Sequence, residues 1–338
     1  MKKAIVLFSG GLDSTLATRI LQEQGIEVVG LNFVTPFHDA TKDAQSAADA
    51  CGIELVVHRV DDDYMNLVAQ PRWGYGKAVN PCVDCRVDMC RVAKRLMEQR
   101  GAAFVATGEL AGQRPNSQMQ HQLDLIARES GLRGYLLRPL SAIVLSPTEP
   151  EIRGLVDRSK LFGYTGRGRG RLIMLANRLG IEKIPQPSTG CFLCETSYSP
   201  RLLDLFKHEP APTVWDADAL NAGRQIRISP KVKAVIGRNE EHCDRIEALF
   251  ARSDAKPSIM FIPETFQGPS VLLIGPNPET DSPEEFRSWL DLGGALILRY
   301  TNPAKYDSAT TTVCAHFGSE KKIIPAKTDE KADGYRVI

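Results

Sequence analysis

Lys3-Ala4-Ile5-Val6-Leu7-Phe8-Ser9-Gly10-Gly11-Leu12-Asp13-Ser14 decides how this chain folds. Lys3–Phe8 is a short apolar run, which reads as a strand. Asp13–Gln24 follows with helical periodicity, and Gly25 stops it. Between them sit two glycines, which let the backbone turn sharply and come close to a ligand. The start of a helix offers unpaired N–H groups and a positive dipole end, so the junction is suited to phosphate. A Gly-Gly pair alone favours a tight turn capped by Asp or Ser. Neither G-x-x-x-x-G-K-[ST] nor G-x-G-x-x-G follows this strand, which sets aside P-loop and dinucleotide readings.

Working outward, Val28–Phe33 reads as a second strand, Ala40–Cys51 as a helix and Glu54–Arg59 as a third strand. Val83–Arg100 is a long amphipathic helix ended by Gly101, and Ala103–Thr107 a fourth strand. This alternation predicts an α/β fold with a doubly wound parallel sheet. In such sheets ligands bind beyond the carboxyl ends of the strands, so the loops after Phe8, Phe33, Arg59 and Thr107 share one rim. From about Ser146 the pattern changes. Pro147–Asp157 and Arg169–Leu179 read as helices, Pro185–Gly190 as an irregular loop and Pro210–Thr213 as a linker. Beyond it, Ile226–Ile228, Ala234–Ile236, Ser258–Phe261, Val271–Ile274 and Ala295–Arg299 read as strands, and Glu240–Ala251 and Pro283–Leu292 as helices. The expected organisation is residues 1–209 as the nucleotide domain and 213–338 as a smaller C-terminal α/β domain.

The sequence has 338 residues, 43% hydrophobic and 25% charged, with a formal net charge of +1. Such a charge predicts no polyanion partner for the whole molecule, so any nucleic-acid binding must come from a local patch. Ala4–Phe8 is too short for a signal-peptide core, and no apolar run reaches membrane-spanning length. The expectation is a cytoplasmic protein with no membrane partner. In that reducing setting the eight cysteines read as metal ligands, catalytic thiols or small buried hydrophobes rather than disulfides.

Cys82 and Cys85 form one C-x-x-C, after Asn80-Pro81; Cys191 and Cys194 form another, after Ser188-Thr189-Gly190. If the pairs converge they make a four-thiolate site suited to zinc or an iron–sulfur cluster. A zinc staple pinning the two segments is the structural alternative. The start of the Val83–Arg100 helix predicts a lowered thiol pKa for Cys82 and Cys85, aided by Arg86. Cys90 shares a helical face with Ala93 and Met97 and reads as core. Cys51, Cys243 and Cys314 carry no chemical signal.

The hexapeptide Ser9–Ser14 resembles the signature of the PP-loop ATP pyrophosphatases, of the adenine nucleotide alpha hydrolase-like fold. The resemblance implies cleavage of ATP between its α- and β-phosphates. Ser9, Gly10, Gly11 and Ser14 would cradle pyrophosphate, and Asp13 would hold Mg2+. Asn32, Phe33, Thr107 and Gly108 match nucleotide-facing positions, although the family's Gly-His is Gly108-Glu109 here. Asn80-Pro81 with Cys85, and Ser188-Thr189-Gly190 with Cys191, resemble the bacterial tRNA 2-thiouridylases over roughly residues 1–200. That implies catalytic roles for Cys85, Cys191 and Asp13, with tRNA as partner and a sulfur donor protein or sulfide as the source of sulfur. The extra cysteines depart from a two-cysteine relay. Related tRNA thiolases hold a [4Fe-4S] cluster with three cysteines, so a cluster on Cys82, Cys85, Cys191 and Cys194 is expected, with Zn2+ as the alternative.

Between Glu151 and Gly180 the basic residues are Arg153, Arg158, Lys160, Arg167, Arg169, Arg171 and Arg178, against only Glu151 and Asp157. Arg167, Arg169 and Arg171 alternate with glycines and suit an RNA backbone, while Phe162 and Tyr164 are candidates for base stacking. A solvated loop, or one that binds ATP phosphates, is the alternative. Asp218–Arg224 with Lys231, Lys233 and Arg238 faintly resembles the RNA-binding domain of NFACT proteins; a dimerisation domain, giving a homodimer, or a purely structural one is the alternative. The expected function is ATP-dependent tRNA uridine thiolation. A PP-loop ligase acting on a small molecule, a cluster-based desulfidase and a non-catalytic RNA-binding protein are its rivals.

Overall fold

A computed structural model describes residues 2–181, 190–307 and 310–338. The chain divides into two compact units, Met1–Thr196 and Ser197–Ile338. The first carries β1 (Lys3–Leu7), α1 (Leu12–Gln22), β2 (Glu27–Val34), α2 (Thr41–Cys51), β3 (Glu54–Arg59) and α3 (Asp62–Ala69). Then come α4 (Cys82–Gln99), β4 (Phe104–Thr107), α5 (Gln120–Glu129), β5 (Leu136–Leu137), α6 (Glu149–Ile152) and α7 (Gly170–Arg178).

These five strands form a parallel sheet in the order β3-β2-β1-β4-β5. Successive β1 side chains serve opposite faces, as strand pleating requires. Ala4 and Val6 pack with Leu16 and Ile20 of α1 and Leu172 and Leu175 of α7. Ile5 and Leu7 pack with Val87, Cys90 and Leu96 of α4 and Ile126 of α5. Helices therefore cover both faces, and the doubly wound expectation holds. Register aligns Leu7 with both Leu31 and Thr107, and Val34 with Arg59, which brings the strand ends to one rim. The chain reverses its winding between β1 and β4, so the crevice there is the switch point at which sheets of this kind bind ligands.

The second unit carries α8 (Ser199–His208), α9 (Val214–Asn221), β6 (Arg224–Arg227), β7 (Lys233–Ile236), α10 (Glu240–Phe250), β8 (Ser258–Pro263) and β9 (Val271–Ile274). It ends with α11 (Pro283–Arg299), β10 (Thr312–Phe317), β11 (Glu320–Pro325) and α12 (Glu330–Gly334). Its six strands are antiparallel, in the order β11-β10-β8-β9-β7-β6.

Two local expectations are corrected. Ala295–Arg299 is not a strand but the last part of α11. A short apolar run cannot distinguish a buried strand from a buried helix, and Gly293-Gly294 reads as a break. Instead Gly293 admits the Phe261 ring, which a Cβ would meet at 2.2 Å, and Gly294 faces Ala326. Pro147–Asp157 holds only the single turn α6, because the backbone at Gly154 takes φ +65° and leaves the helix.

Candidate active site

The Ser9–Ser14 loop sits in the switch-point crevice. Gly11 is the N-cap of α1 and no side chain caps that start, so neither Asp13 nor Ser14 serves as the cap. The Ser14 hydroxyl donates to Gly11 O at 3.0 Å and stands 3.4 Å from Ser9 Oγ, which also accepts from Gly11 N–H at 3.4 Å. Gly10 has two reasons to be glycine. Its φ is +73°, and a Cβ there would lie 2.7 Å from Ala44 Cα of α2. Gly108, just after β4, lies against the main chain of α1: a Cβ would come 2.4 Å from the Asp13 carbonyl.

Asp13 accepts a hydrogen bond on Oδ2 from Gln113 Nε2 at 3.0 Å. Asn32 is 3% exposed and donates from Nδ2 to Phe8 O at 2.9 Å, while its Oδ1 has no partner among the described residues. Phe33 packs in the cluster with Val83 and Val87, with the His58 ring edge-on at 5.2 Å. The Thr107 hydroxyl donates to Glu109 Oε2 at 3.2 Å.

Glu109 is buried between two guanidiniums, Arg138 Nε at 3.3 Å from Oε2 and Arg86 Nε at 3.4 Å from Oε1. Burial alone would raise its pKa, but Arg86 and Arg138 outweigh that and hold it below the usual carboxylate range. Arg86 follows Cys85 on α4, so this carboxylate ties the cysteine helix to the end of β4.

The two cysteine pairs, far apart in sequence, meet at the start of α4. Asn80, 5% exposed, bridges them: its Nδ2 donates to Cys194 Sγ at 2.6 Å, and its Oδ1 accepts from Cys82 Sγ at 2.8 Å. Cys85 Sγ lies 3.3 Å from the buried Tyr64 hydroxyl. Cys191 starts a one-turn 3-10 helix, Phe192–Cys194, which docks on the loop after β2 through Phe192 N–H to Phe37 O at 3.1 Å.

The expected lowering of thiol pKa is overturned. Burial pushes the Cys82 and Cys85 thiols up, and Cys191 is pushed up to about 12 by burial and by the neighbouring thiols Cys194 and Cys82. Desolvation outweighs the helix dipole and Arg86. Among the described residues no three His, Cys, Asp or Glu side chains are arranged to hold a metal ion. Ser188 and Thr189 lie outside the described residues. Cys90 is core at 1% exposed.

The basic segment is linked to the Ser9–Ser14 corner through Gln113. Gly166 N–H donates to Ala111 O at 2.9 Å, and Arg167 Nε donates to Gln113 O at 3.2 Å. Arg167 and Arg171 are exposed and Arg169 half-buried. Arg153 pairs with Glu149, Arg158 with Glu151 and Lys160 with Asp157. The expectation that Phe162 and Tyr164 serve as base-stacking platforms is corrected. They stack on each other at 5.0 Å, pack against the core, and Arg178 covers the Phe162 ring.

Residues 2–148 match the family described as tRNA methyl transferase HUP domain. The first unit has a PP-loop fold and is similar to the tRNA 2-thiouridylases. The tRNA-specific 2-thiouridylase of Geobacter metallireducens is 27% identical over 193 residues, 46% of this chain and 50% of that protein. The Sulfurimonas denitrificans 2-thiouridylase is 34% identical over 122 residues, 32% of this chain and 34% of that protein. The chain thus spans a third to a half of the length of these relatives. A 4-thiouridine synthetase–RNA complex with bound ATP is a solved neighbour at TM-score 0.35 and 22% identity, covering 53% of this chain and 52% of its own. Residues 223–336 match the NFACT protein RNA binding domain. No helix among the described residues is long and apolar enough to cross a membrane.

Sequence reasoning missed Gln113, Tyr64 and the side-chain role of Asn80. Gln113 and Tyr64 stand in unremarkable contexts, and Asn80 reads only as a turn residue before proline.

Proposed function

We propose that the chain is an ATP-dependent tRNA uridine thiolase. The observation that carries this reading is that four thiols gather at the start of α4, in the same α/β unit as a phosphate loop built at the switch point. In this reading Ser9, Gly10, Gly11 and Ser14 bind the β- and γ-phosphates of ATP through main-chain N–H and hydroxyl groups. Asp13 fits Mg2+, which takes one or two carboxylates and neutralises phosphate charge. The unpartnered Asn32 Oδ1 is an acceptor for a nucleotide or substrate donor. A uracil oxygen attacks the α-phosphorus and pyrophosphate leaves; a sulfur nucleophile then displaces AMP from the activated carbon. The base must leave its stack to reach the crevice.

In this reading Cys82, Cys85, Cys191 and Cys194 would hold an iron–sulfur cluster, with Zn2+ as the alternative, since the donor set is all thiol and suits either. Such a cluster would offer an iron able to carry sulfide when three cysteines hold it. Burial opposes deprotonation of these thiols, so coordination would have to supply it. Sulfur arrives from a donor protein or sulfide, and Arg167, Arg169 and Arg171 contact tRNA near the crevice.

The test is anaerobic purification with iron, sulfide and zinc analysis, followed by single turnover with tRNA and ATP. Iron and sulfide, pyrophosphate release and a thiolated nucleoside by mass spectrometry are expected. Cys85→Ala should abolish thiolation while retaining nucleotide binding. Thiolation at the normal rate by that variant would overturn the role of Cys85. Absence of pyrophosphate release with any tRNA would overturn the function.

A further inference from the structure

Three arginines of the second unit lack carboxylate partners among the described residues and are brought together by the fold. Arg224 opens β6 and lies in register with Ile236 at the end of β7. The strands abut closely there, since a Cβ on Gly223 would come 2.3 Å from Ile236 O. Arg238 follows two residues later, and Gly237 packs on Cys243 of α10, which brings His242 of the same helix alongside. Arg201, on α8, joins them: Arg201 and Arg224 both act electrostatically on Arg238, and Arg201 and Arg238 on His242.

Several other basic groups of the unit meet carboxylates. Arg227 meets Asp204 at 2.6 Å, Arg252 meets Asp218 and Asp254 at 2.6 Å each, and Lys256 meets Asp216 at 2.6 Å. The arginine cluster is treated differently. Arg201 Nε and His242 Nδ1 are buried with no hydrogen-bond partner among the described residues. The Arg224 guanidinium lies over the Tyr300 ring at 5.0 Å, leaving its donors unclaimed by any acid. The carboxylate acting on His242 is Glu241, and it is paired with Arg245 at 2.5 Å. Burial and then mutual repulsion lower the pKa of Arg238, and the same causes lower that of His242. On a surface open to solvent such repulsion is modest, and a polyanion would relieve it.

We propose that Arg201, Arg224 and Arg238, with His242 beside them, form a phosphate-backbone contact for RNA. The choice of RNA rests on the function proposed above and on the RNA binding domain matched over residues 223–336. Arg201 lies outside that matched range, so α8 adds to the surface a cation that the match does not contain. Guanidinium forks suit phosphate oxygens, and a group of neighbouring arginines reads a backbone rather than a base sequence.

The test uses the full chain and tRNA, with binding followed by fluorescence anisotropy from 50 to about 200 mM salt, where backbone contacts weaken most visibly. Arg201→Gln and Arg238→Gln should each weaken binding several-fold at low salt. Each should also flatten the plot of log affinity against log salt by about one, as expected for one lost phosphate contact. Arg201→Lys, which keeps the charge, should restore most of the slope, and Mg-ATP binding should be unchanged in every variant. If both glutamine variants keep the wild-type affinity and slope, the surface is wrong, and an acidic protein becomes the better partner. Loss of affinity that Arg201→Lys does not recover, with a lowered melting temperature, also overturns it, because that is a folding effect. The outcome is separable from the catalytic reading. Flattened slopes with no thiolation would sink the enzyme and keep the surface; thiolation with unchanged slopes would do the reverse.

Discussion

Gln113 holds Asp13 by a hydrogen bond from Nε2 to Oδ2 at 3.0 Å, and Arg167 Nε holds the Gln113 carbonyl at 3.2 Å. A residue 100 positions away thus orients the carboxylate assigned to magnesium, and the basic segment braces that residue. The arrangement gives the Arg-rich loop a structural connection to the nucleotide corner besides any RNA contact.

Gln113→Ala should therefore impair use of ATP without unfolding the protein. A hydrogen bond to a charged group contributes about 1.5–3 kcal/mol, so a loss of roughly tenfold or more in kcat/KM for Mg-ATP is expected. Steady-state kinetics over a magnesium titration checks this. An unchanged magnesium dependence would remove Gln113 from the site.

Gly108→Ala tests the close approach of the β4 end to the first turn of α1. The new Cβ would stand 2.4 Å from the Asp13 carbonyl, and that neighbour is main chain, which cannot swing aside. Overpacking of this kind costs about 1–3 kcal/mol, and here it displaces the phosphate loop itself. Thermal unfolding with and without Mg-ATP should show a lower melting temperature and no ligand-induced rise. Gly168→Ala, with nothing within 4 Å of the added carbon, is the control and should behave as wild type. A normal ATP-induced rise in Gly108→Ala would contradict the account.

Much of the first unit was readable because local signals and the global fold agree. The Ser9–Ser14 turn, the two glycines and the flanking periodicities all require the same strand–loop–helix. What escaped depends on contacts between distant segments. Nothing near Gln113 in sequence announces Asp13, and nothing near Asn80 announces Cys194. The thiol pKa reading failed for a related reason: a helix start is visible in sequence, whereas the burial that overrides it is created by Tyr64 and the Cys191–Cys194 turn. Phe162 and Tyr164 read as available rings because sequence does not reveal that they face each other. In α11, the helix predicted to end at Leu292 runs on to Arg299, because the Phe261 ring that fills the space at Gly293 lies on another element.

Glu109→Gln tests the buried ion cluster behind the cysteine helix. Glu109 and Arg138 are 4% and 5% exposed, so removing the charge leaves Arg138 buried without its counter-ion. Breaking such a pair costs about 3–5 kcal/mol. The pH dependence has a definite sign. The folded-state pKa of Glu109 lies below its ordinary value, so its contribution is complete above that ordinary value, about 4.3. It is lost as the pH falls through the lowered folded value. The stability gap between wild type and Glu109→Gln should be constant from about pH 6 to 8 and close below about pH 4. Denaturant titrations across that range decide it; a gap that persists unchanged at low pH would show that charge is not the cause.

Lys233 gives the opposite sign. Its ammonium is 4% exposed in β7 and has no hydrogen-bond partner among the described residues. Asp216, the first carboxylate that favours its charge, is already engaged by Lys256 at 2.6 Å. Burial lowers the Lys233 pKa to about 8, against the pull of Asp216 and with Arg227 adding to the lowering. Between that value and the ordinary 10.4 or so, the unfolded chain binds more protons than the folded one, so stability contributed here rises with pH through the window. Below it the folded protein carries the full cost of a buried, unpaired charge. Lys233→Met, similar in length and apolar, removes that cost. The variant should unfold at a higher temperature than wild type at pH 7, and its advantage should shrink steadily between pH 8 and about 10.4. A variant less stable than wild type at pH 7 would mean that the ammonium is satisfied in the fold, and that its burial is paired rather than costly.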